Sequence, residues 1–215
     1  MFLLIIGCVV FASVFLYQER KGNYVPAVVL KGLASLCFVI LGALRNPGSP
    51  MAKLIVAGLI LGCIADVLLN LRFVFKEKGK LVFLVGILVF LSGHILYLAA
   101  ILPIAKNKLI CIIIGVILTA LLMIWIFKQI TAQKAFKIFG VFYIGAIMLL
   151  NCVAIGNLIA SPSSFTGLFA AGALFFLVSD IVLILNTFGK ESRQSLRVTN
   201  IALYYLGQIL IAMSL

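Results

Sequence analysis

The sequence predicts an all-α, polytopic membrane bundle with eight transmembrane helices, and three observations lead there. Hydrophobic residues fill 65% of the 215 positions and charged residues only 10%, which is not a soluble globular composition. Nearly all the apolar residues fall in runs close to the roughly 20 residues that a helix needs to cross a bilayer at 1.5 Å per residue. The runs are continuous and do not alternate, which excludes a closed barrel.

Each run is expected to form one span. The first, roughly 2–17, has no basic segment before it and no A-x-A site after it, so it reads as a span and not as a cleaved leader. The second and third, roughly 25–44 and 52–71, flank the turn sequence N-P-G-S-P. The fourth, roughly 81–103, ends at Pro103; the fifth, roughly 108–127, follows after a short link. The sixth, roughly 137–157, stops before Pro162, and the seventh and eighth cover roughly 166–187 and 198–215. Pro26, Pro47, Pro50, Pro103 and Pro162 all lie in links or at helix ends, where a missing N–H costs little. No span carries a central Pro or Gly-Pro break, the mark of many ion-coupled transporters. The links are short, about 5 to 12 residues, so consecutive helices are expected as antiparallel neighbours in a single transmembrane domain, 1–215.

A net charge of +12 suggests nucleic acid as a partner, but the positions of the basic residues argue against it. The first, third, fifth and seventh links hold Arg20 and Lys21; Arg72, Lys76, Lys78 and Lys80; Lys128 and Lys134; and Lys190, Arg193 and Arg197. The other links carry only Arg45, Lys53, Lys106 and Lys108. By the positive-inside rule the N- and C-termini both belong on the non-cytoplasmic side. A basic cytoplasmic face also suits anionic lipid head groups. The compact, tail-free chain points to a bacterial inner membrane, with an internal eukaryotic membrane as the other location. Oligomeric state is not legible.

Polar residues inside the spans mark the candidate site. The chain has two Asp, Asp66 and Asp180, both within apolar runs. An Asp at a helix centre costs about 3 kcal/mol on insertion scales, so such residues normally face the bundle interior. In the third span Gly58, Gly62, Asp66 and Asn70 recur every four residues as one stripe. The seventh presents Gly172, Phe176, Ser179, Asp180, Leu183 and Thr187 on one face. The fourth offers Gly86, Phe90, Gly93, His94 and Tyr97; the eighth, Asn200, Tyr204 and Gln208, with Tyr205 at its edge; the sixth, Tyr143 and Asn151. The first and fifth spans are almost featureless and read as lipid-facing. One interior cluster from the third, fourth, seventh and eighth helices is the economical arrangement. Lys31, about two turns into the second span, either reaches that cluster or snorkels to the surface. The "ADVLLN" of the third span and "SDIVLILN" of the seventh form an internal echo, from duplication or from convergence.

A lone Asn, Gln or Tyr in a membrane helix is commonly interhelical glue, and small-xxx-small glycines are commonly packing. His94 is the only histidine and cannot supply a three-His zinc site. The five cysteines lie singly in apolar spans with no C-x-x-C spacing, so they read as packing residues, with no metal or disulfide expected. Two carboxyl groups in a low-dielectric pocket cannot both ionise freely, so one is expected to keep its proton. That divides them into an acid and a base, which suits hydrolysis through an oxocarbenium-like cation. Two other functions would use the same bundle: a proton-coupled small-solute or lipid transporter, and a non-catalytic lipid-binding protein.

Four stretches carry a resemblance. "GILVFLSGHILYLA" resembles the G-x-x-x-F-x-x-[GA]-H-x-x-Y helix of the YhhN-like lysoplasmalogenase family, and "GALFFLVSDIVLIL" its second motif. "YYLGQILIA" is similar to its Y-Y-x-x-Q pattern, and "GCIADVLL" to its first Asp motif, with Ala65 where Gly is common. The resemblance spans residues 58 to 215 in order. It implies hydrolysis of the vinyl ether bond of a lysoplasmalogen to a fatty aldehyde and glycerophospho-ethanolamine or -choline, with no cofactor. The partners are then the lysophospholipid substrate and membrane lipids. On this reading Asp66 and Asp180 are catalytic. His94, Tyr97, Asn70, Ser179, Tyr204, Tyr205 and Gln208 orient substrate or water, and Lys31 and Arg72 hold the phosphate.

Overall fold

The computed structural model describes the backbone of residues 1–215 and every side chain except that of Ala135. Eight α-helices form among the described residues: α1 (Phe2–Arg20), α2 (Tyr24–Arg45), α3 (Pro50–Leu71), α4 (Gly79–Ile101), α5 (Lys108–Gln129), α6 (Lys134–Ala160), α7 (Ser164–Phe188) and α8 (Gln194–Ser214). All eight are long and apolar enough to cross a membrane, the architecture of an integral multi-pass protein. A single 3₁₀ turn, Lys76–Lys78, precedes α4.

The helices outrun the apolar runs at several ends. α1 continues to Arg20, α6 starts at Lys134 and α8 starts at Gln194, because polar residues extend a backbone ladder that hydropathy does not register. α4 stops at Ile101, short of the expected end, since the residue before Pro103 is pushed out of the helical region. Local chemistry explains the sharp turns. Gly22 and Gly48 adopt φ of 78° and 83°, a left-handed conformation that glycine takes without steric cost. Ser49 caps α3 by accepting from the Ala52 amide, with Pro50 preset at the first helical position. Ser163 and Thr166 form a reciprocal capping box on α7.

By contacts the chain divides into two compact units, Met1–Tyr97 with Leu215, and Leu98–Ser214, the boundary falling in the last turns of α4. In the first, α1 packs on α2 and α2 on α3. α3 and α4 approach through glycine: a Cβ on Gly93 would come within 3.3 Å of the Gly58 carbonyl oxygen. In the second, α5, α6, α7 and α8 pack in chain order. Thr131 donates to the Phe188 carbonyl at 2.8 Å, tying the ends of α5 and α7 together. α1 and α5 leave most of their apolar surface outward, including Val9, Val10, Ile113, Val116 and Ile117, as expected of lipid-facing helices. α1 is not featureless, however: it buries Phe15 and brings Glu19 to a polar chain in the first unit.

Candidate active site

The polar chain of the first unit is built by α1, α2 and α3. The stripe Gly58, Gly62, Asp66 and Asn70 is buried along its whole length, as the four-residue spacing requires. α2 faces it with Lys31 and Ser35, one turn apart. Lys31 Nζ lies 3.0 Å from Asp66 Oδ1, and Ser35 Oγ donates to Asp66 Oδ2 at 2.6 Å. Lys31 also donates to Asn70 Oδ1 at 3.3 Å, and Asn70 Nδ2 donates to Glu19 Oε1 at 3.3 Å. The ring of Phe15 stands 5.6 Å from the ammonium, within cation–π range. Lys31 is 4% exposed, so of its two expected positions the inward one is occupied. A lysine this deep is retained only with its charge compensated, and the Asp66 carboxylate compensates it.

Arg72, the C-cap of α3, takes a different setting. Its guanidinium centre lies 4.5 Å from the Phe73 ring and 4.3 Å from the Phe83 ring, and Phe73 stacks in turn on Tyr24 at 5.3 Å. Two aromatic faces hold a planar cation where a lysine would swing. On α4, His94 and Tyr97 are buried, with the His94 ring 5.9 Å from Phe90 and 6.3 Å from Tyr97 between centroids. Tyr97 lies over Gly58, where any Cβ would run into its ring. It therefore stands two turns of α3 away from Asp66, about 12 Å along the axis.

In the second unit Asp180 is 2% exposed, and its Oδ2 accepts the phenol proton of Tyr143 on α6 at 2.8 Å. Ser179 faces α8 instead. It donates to the Asn200 carbonyl at 3.0 Å and accepts from Asn200 Nδ2 at 2.8 Å, which commits its one proton to the α7–α8 seam. Arg197 donates to Asn200 Oδ1 at 3.3 Å. Next along α8, Tyr204 meets Phe176 edge-on at 5.3 Å and Tyr205 at 5.0 Å, and Gln208 donates to the Tyr204 hydroxyl at 3.4 Å. The seam is close because two glycines face each other. A Cβ on Gly172 would meet the Gly207 carbonyl at 2.7 Å, and one on Gly207 the Gly172 carbonyl at 2.8 Å. Asn151 donates to Ile147 of its own helix at 2.9 Å.

Each Asp thus takes a partner from the helix before it: Lys31 and Ser35 of α2 for Asp66, Tyr143 of α6 for Asp180. Asp66 and Asp180 lie about 8 and 12 Å from the C-terminal ends of α3 and α7 at 1.5 Å per residue. Sequence reasoning did not find Glu19 or Ser35, and it left Tyr143 without a partner. Ser35 follows Lys31 by four positions, the one local signal that the two share a face. Among the described residues no group of three or more His, Cys, Asp or Glu is placed to hold a metal ion. A buried carboxylate held by a cation and a hydroxyl can fix a water and take its proton; a carboxyl beside a phenol can give one up.

No curated protein and no solved structure matches the chain. A family model does, and it covers residues 26–215, from the first turn of α2 to the last residue. Both Asp residues, Lys31, Ser35 and Tyr143 lie inside the matched segment, and Glu19 lies before it. With the match covering α2 to α8, the chain belongs to the YhhN family, the family of lysoplasmalogenases.

Proposed function

We propose that this protein is an intramembrane hydrolase that cleaves the vinyl ether bond of lysoplasmalogens, in a bacterial inner membrane. The observation that carries the reading, beside family membership, is the order of groups along α3. Arg72 ends the helix against two aromatic rings, and Asp66 lies six positions earlier, about 9 Å deeper. In a lysoplasmalogen, seven bonds separate the phosphorus from the vinyl carbon that takes the proton. At a little over 1 Å of extended reach per bond, that is about 8 Å. A phosphate held by Arg72, with Lys76, Lys78 and Lys80 in the following link, leaves the vinyl ether level with Asp66 and the hydrocarbon tail deeper still.

One carboxyl group protonates the β-carbon of the vinyl ether, which generates an oxocarbenium ion. The other carboxylate orients water and takes its proton as the C–O bond forms. The resulting hemiacetal collapses: its hydroxyl loses a proton, the glycerol oxygen gains one, and the C–O bond to glycerol breaks. The products are the fatty aldehyde and the glycerophospho-base. His94, Tyr97, Asn70, Tyr204, Tyr205 and Gln208 are the groups that hold the ether oxygen and the water. Ser179 serves them indirectly, by fixing α8 on α7.

Purified protein in detergent is expected to release aldehyde from lysoplasmenyl-ethanolamine and none from its saturated ether analogue. In H₂¹⁸O the label enters the aldehyde and not the glycerol hydroxyl. Cleavage of both substrates, or of neither, rules the reading out. Arg72→Gln is expected to raise KM roughly tenfold with kcat nearly unchanged, the signature of a lost charge-assisted contact made equally in ground and transition states. Steady-state kinetics on the two proteins measures it.

A further inference from the structure

We propose that Lys31 is a positioning residue for Asp66. Together with Ser35 it holds Asp66 as an oriented carboxylate, which makes Asp66 the group that receives the proton of the attacking water. The proposal rests on the hydrolase reading above and assigns its water-orienting role.

The geometry is a two-point hold from one helix. Lys31 Nζ sits 3.0 Å from Oδ1 and Ser35 Oγ 2.6 Å from Oδ2, so the carboxylate plane is set by two donors on successive turns of α2. The Ser35 hydroxyl also lies 3.0 Å from the Lys31 carbonyl, so its one proton is shared between that oxygen and the closer Asp66 Oδ2. Lys31 is anchored on its far side by Asn70, which Glu19 anchors in turn. A phosphate ligand needs its ammonium toward the membrane surface; this one points at a carboxylate and is 4% exposed. A carboxylate presents about four lone-pair directions, so this hold is compatible with accepting a proton from water.

The proton balance closes over a cycle. An acid gives its proton to the β-carbon, water adds to the oxocarbenium carbon, and the water's proton passes to Asp66. Asp66 then protonates the departing glycerol oxygen as the C–O bond breaks. The hemiacetal hydroxyl returns its proton to the acid that made the first donation as the carbonyl forms. Both groups end as they began, and the net change is addition of one water.

The test uses the full chain in detergent with lysoplasmenyl-ethanolamine. Lys31→Met is expected to lower kcat about 100-fold with KM within about threefold of wild type. Lys31→Arg, which keeps the cation, recovers at least about tenfold of that loss, and Ser35→Ala lowers kcat about tenfold. Thermal unfolding supplies a readout independent of turnover. Lys31→Met and Asp66→Asn each lower Tm by about 5 to 10 °C, and the double variant regains at least half of the summed loss, because no charge is then left unpaired. Wild-type kcat in a folded Lys31→Met protein overturns the proposal, as does a change in KM with kcat preserved, which would return Lys31 to the phosphate. Should Lys31→Met fail to fold, Ser35→Ala with unchanged kcat overturns it equally. A wild-type protein that releases no aldehyde while the Tm cycle shows the coupling overturns the hydrolase reading itself, and the role of Asp66 with it.

Discussion

Asp66→Asn and Asp180→Asn are each expected to lower the kcat for aldehyde release by roughly 10²- to 10⁴-fold, the range that a general acid or base contributes. Asn has nearly the shape of Asp, so each variant removes proton chemistry with little change in volume. In Asp180→Asn the Tyr143 phenol still finds an oxygen to donate to. In Asp66→Asn the buried Lys31 ammonium loses its counter-charge, and Tm falls. The double variant should be no slower than the worse single one, because groups acting in one cycle are strongly non-additive. Aldehyde release measured beside thermal unfolding separates the two effects. Wild-type turnover in both folded variants would end the two-Asp mechanism.

The second large effect belongs to the α7–α8 seam. At Gly172 and Gly207 a new Cβ meets backbone carbonyl oxygen, which has no rotamer by which to move aside. Gly207→Leu is therefore expected to force the helices apart at a cost of about 1 to 3 kcal/mol, a fall in Tm of about 2 to 12 °C. Activity falls with it, since the same seam sets Ser179 on Asn200 and carries Tyr204, Tyr205 and Gln208. Gly140→Ala is the control: its nearest neighbour would be Met123 Cε at 3.9 Å, an ordinary contact, and Tm should not move. Melting curves of the two variants decide it.

The spans were legible because hydropathy reports depth in a bilayer, and eight apolar runs became eight helices. The buried stripe from Gly58 to Asn70 was legible too, since four-residue spacing defines a face without any knowledge of neighbours. What spacing does not give is which neighbour a face meets. Lys31 had two reachable positions on a flexible four-carbon stem, and only packing of α2 on α3 selects the inner one. Tyr143 was seen on α6 but not its partner on α7, and Ser179 was read by its adjacency to Asp180 although it bonds to α8. Glu19 lies at the end of a helix whose other residues face outward, so nothing in its own surroundings hinted at Asn70.

The Lys31–Asp66 pair also bears on how the chain enters the membrane. Each residue alone costs about 3 kcal/mol at a helix centre during translocon-mediated insertion. They lie on consecutive helices joined by only the short link 46–49, and the two charges meet at 3.0 Å. α2 and α3 therefore have reason to leave the translocon together, as a hairpin whose charges already cancel, and not one after the other. A substitution at Lys31 would then reduce the amount of protein in the membrane before it affects any turnover, and that deficit arises during biogenesis.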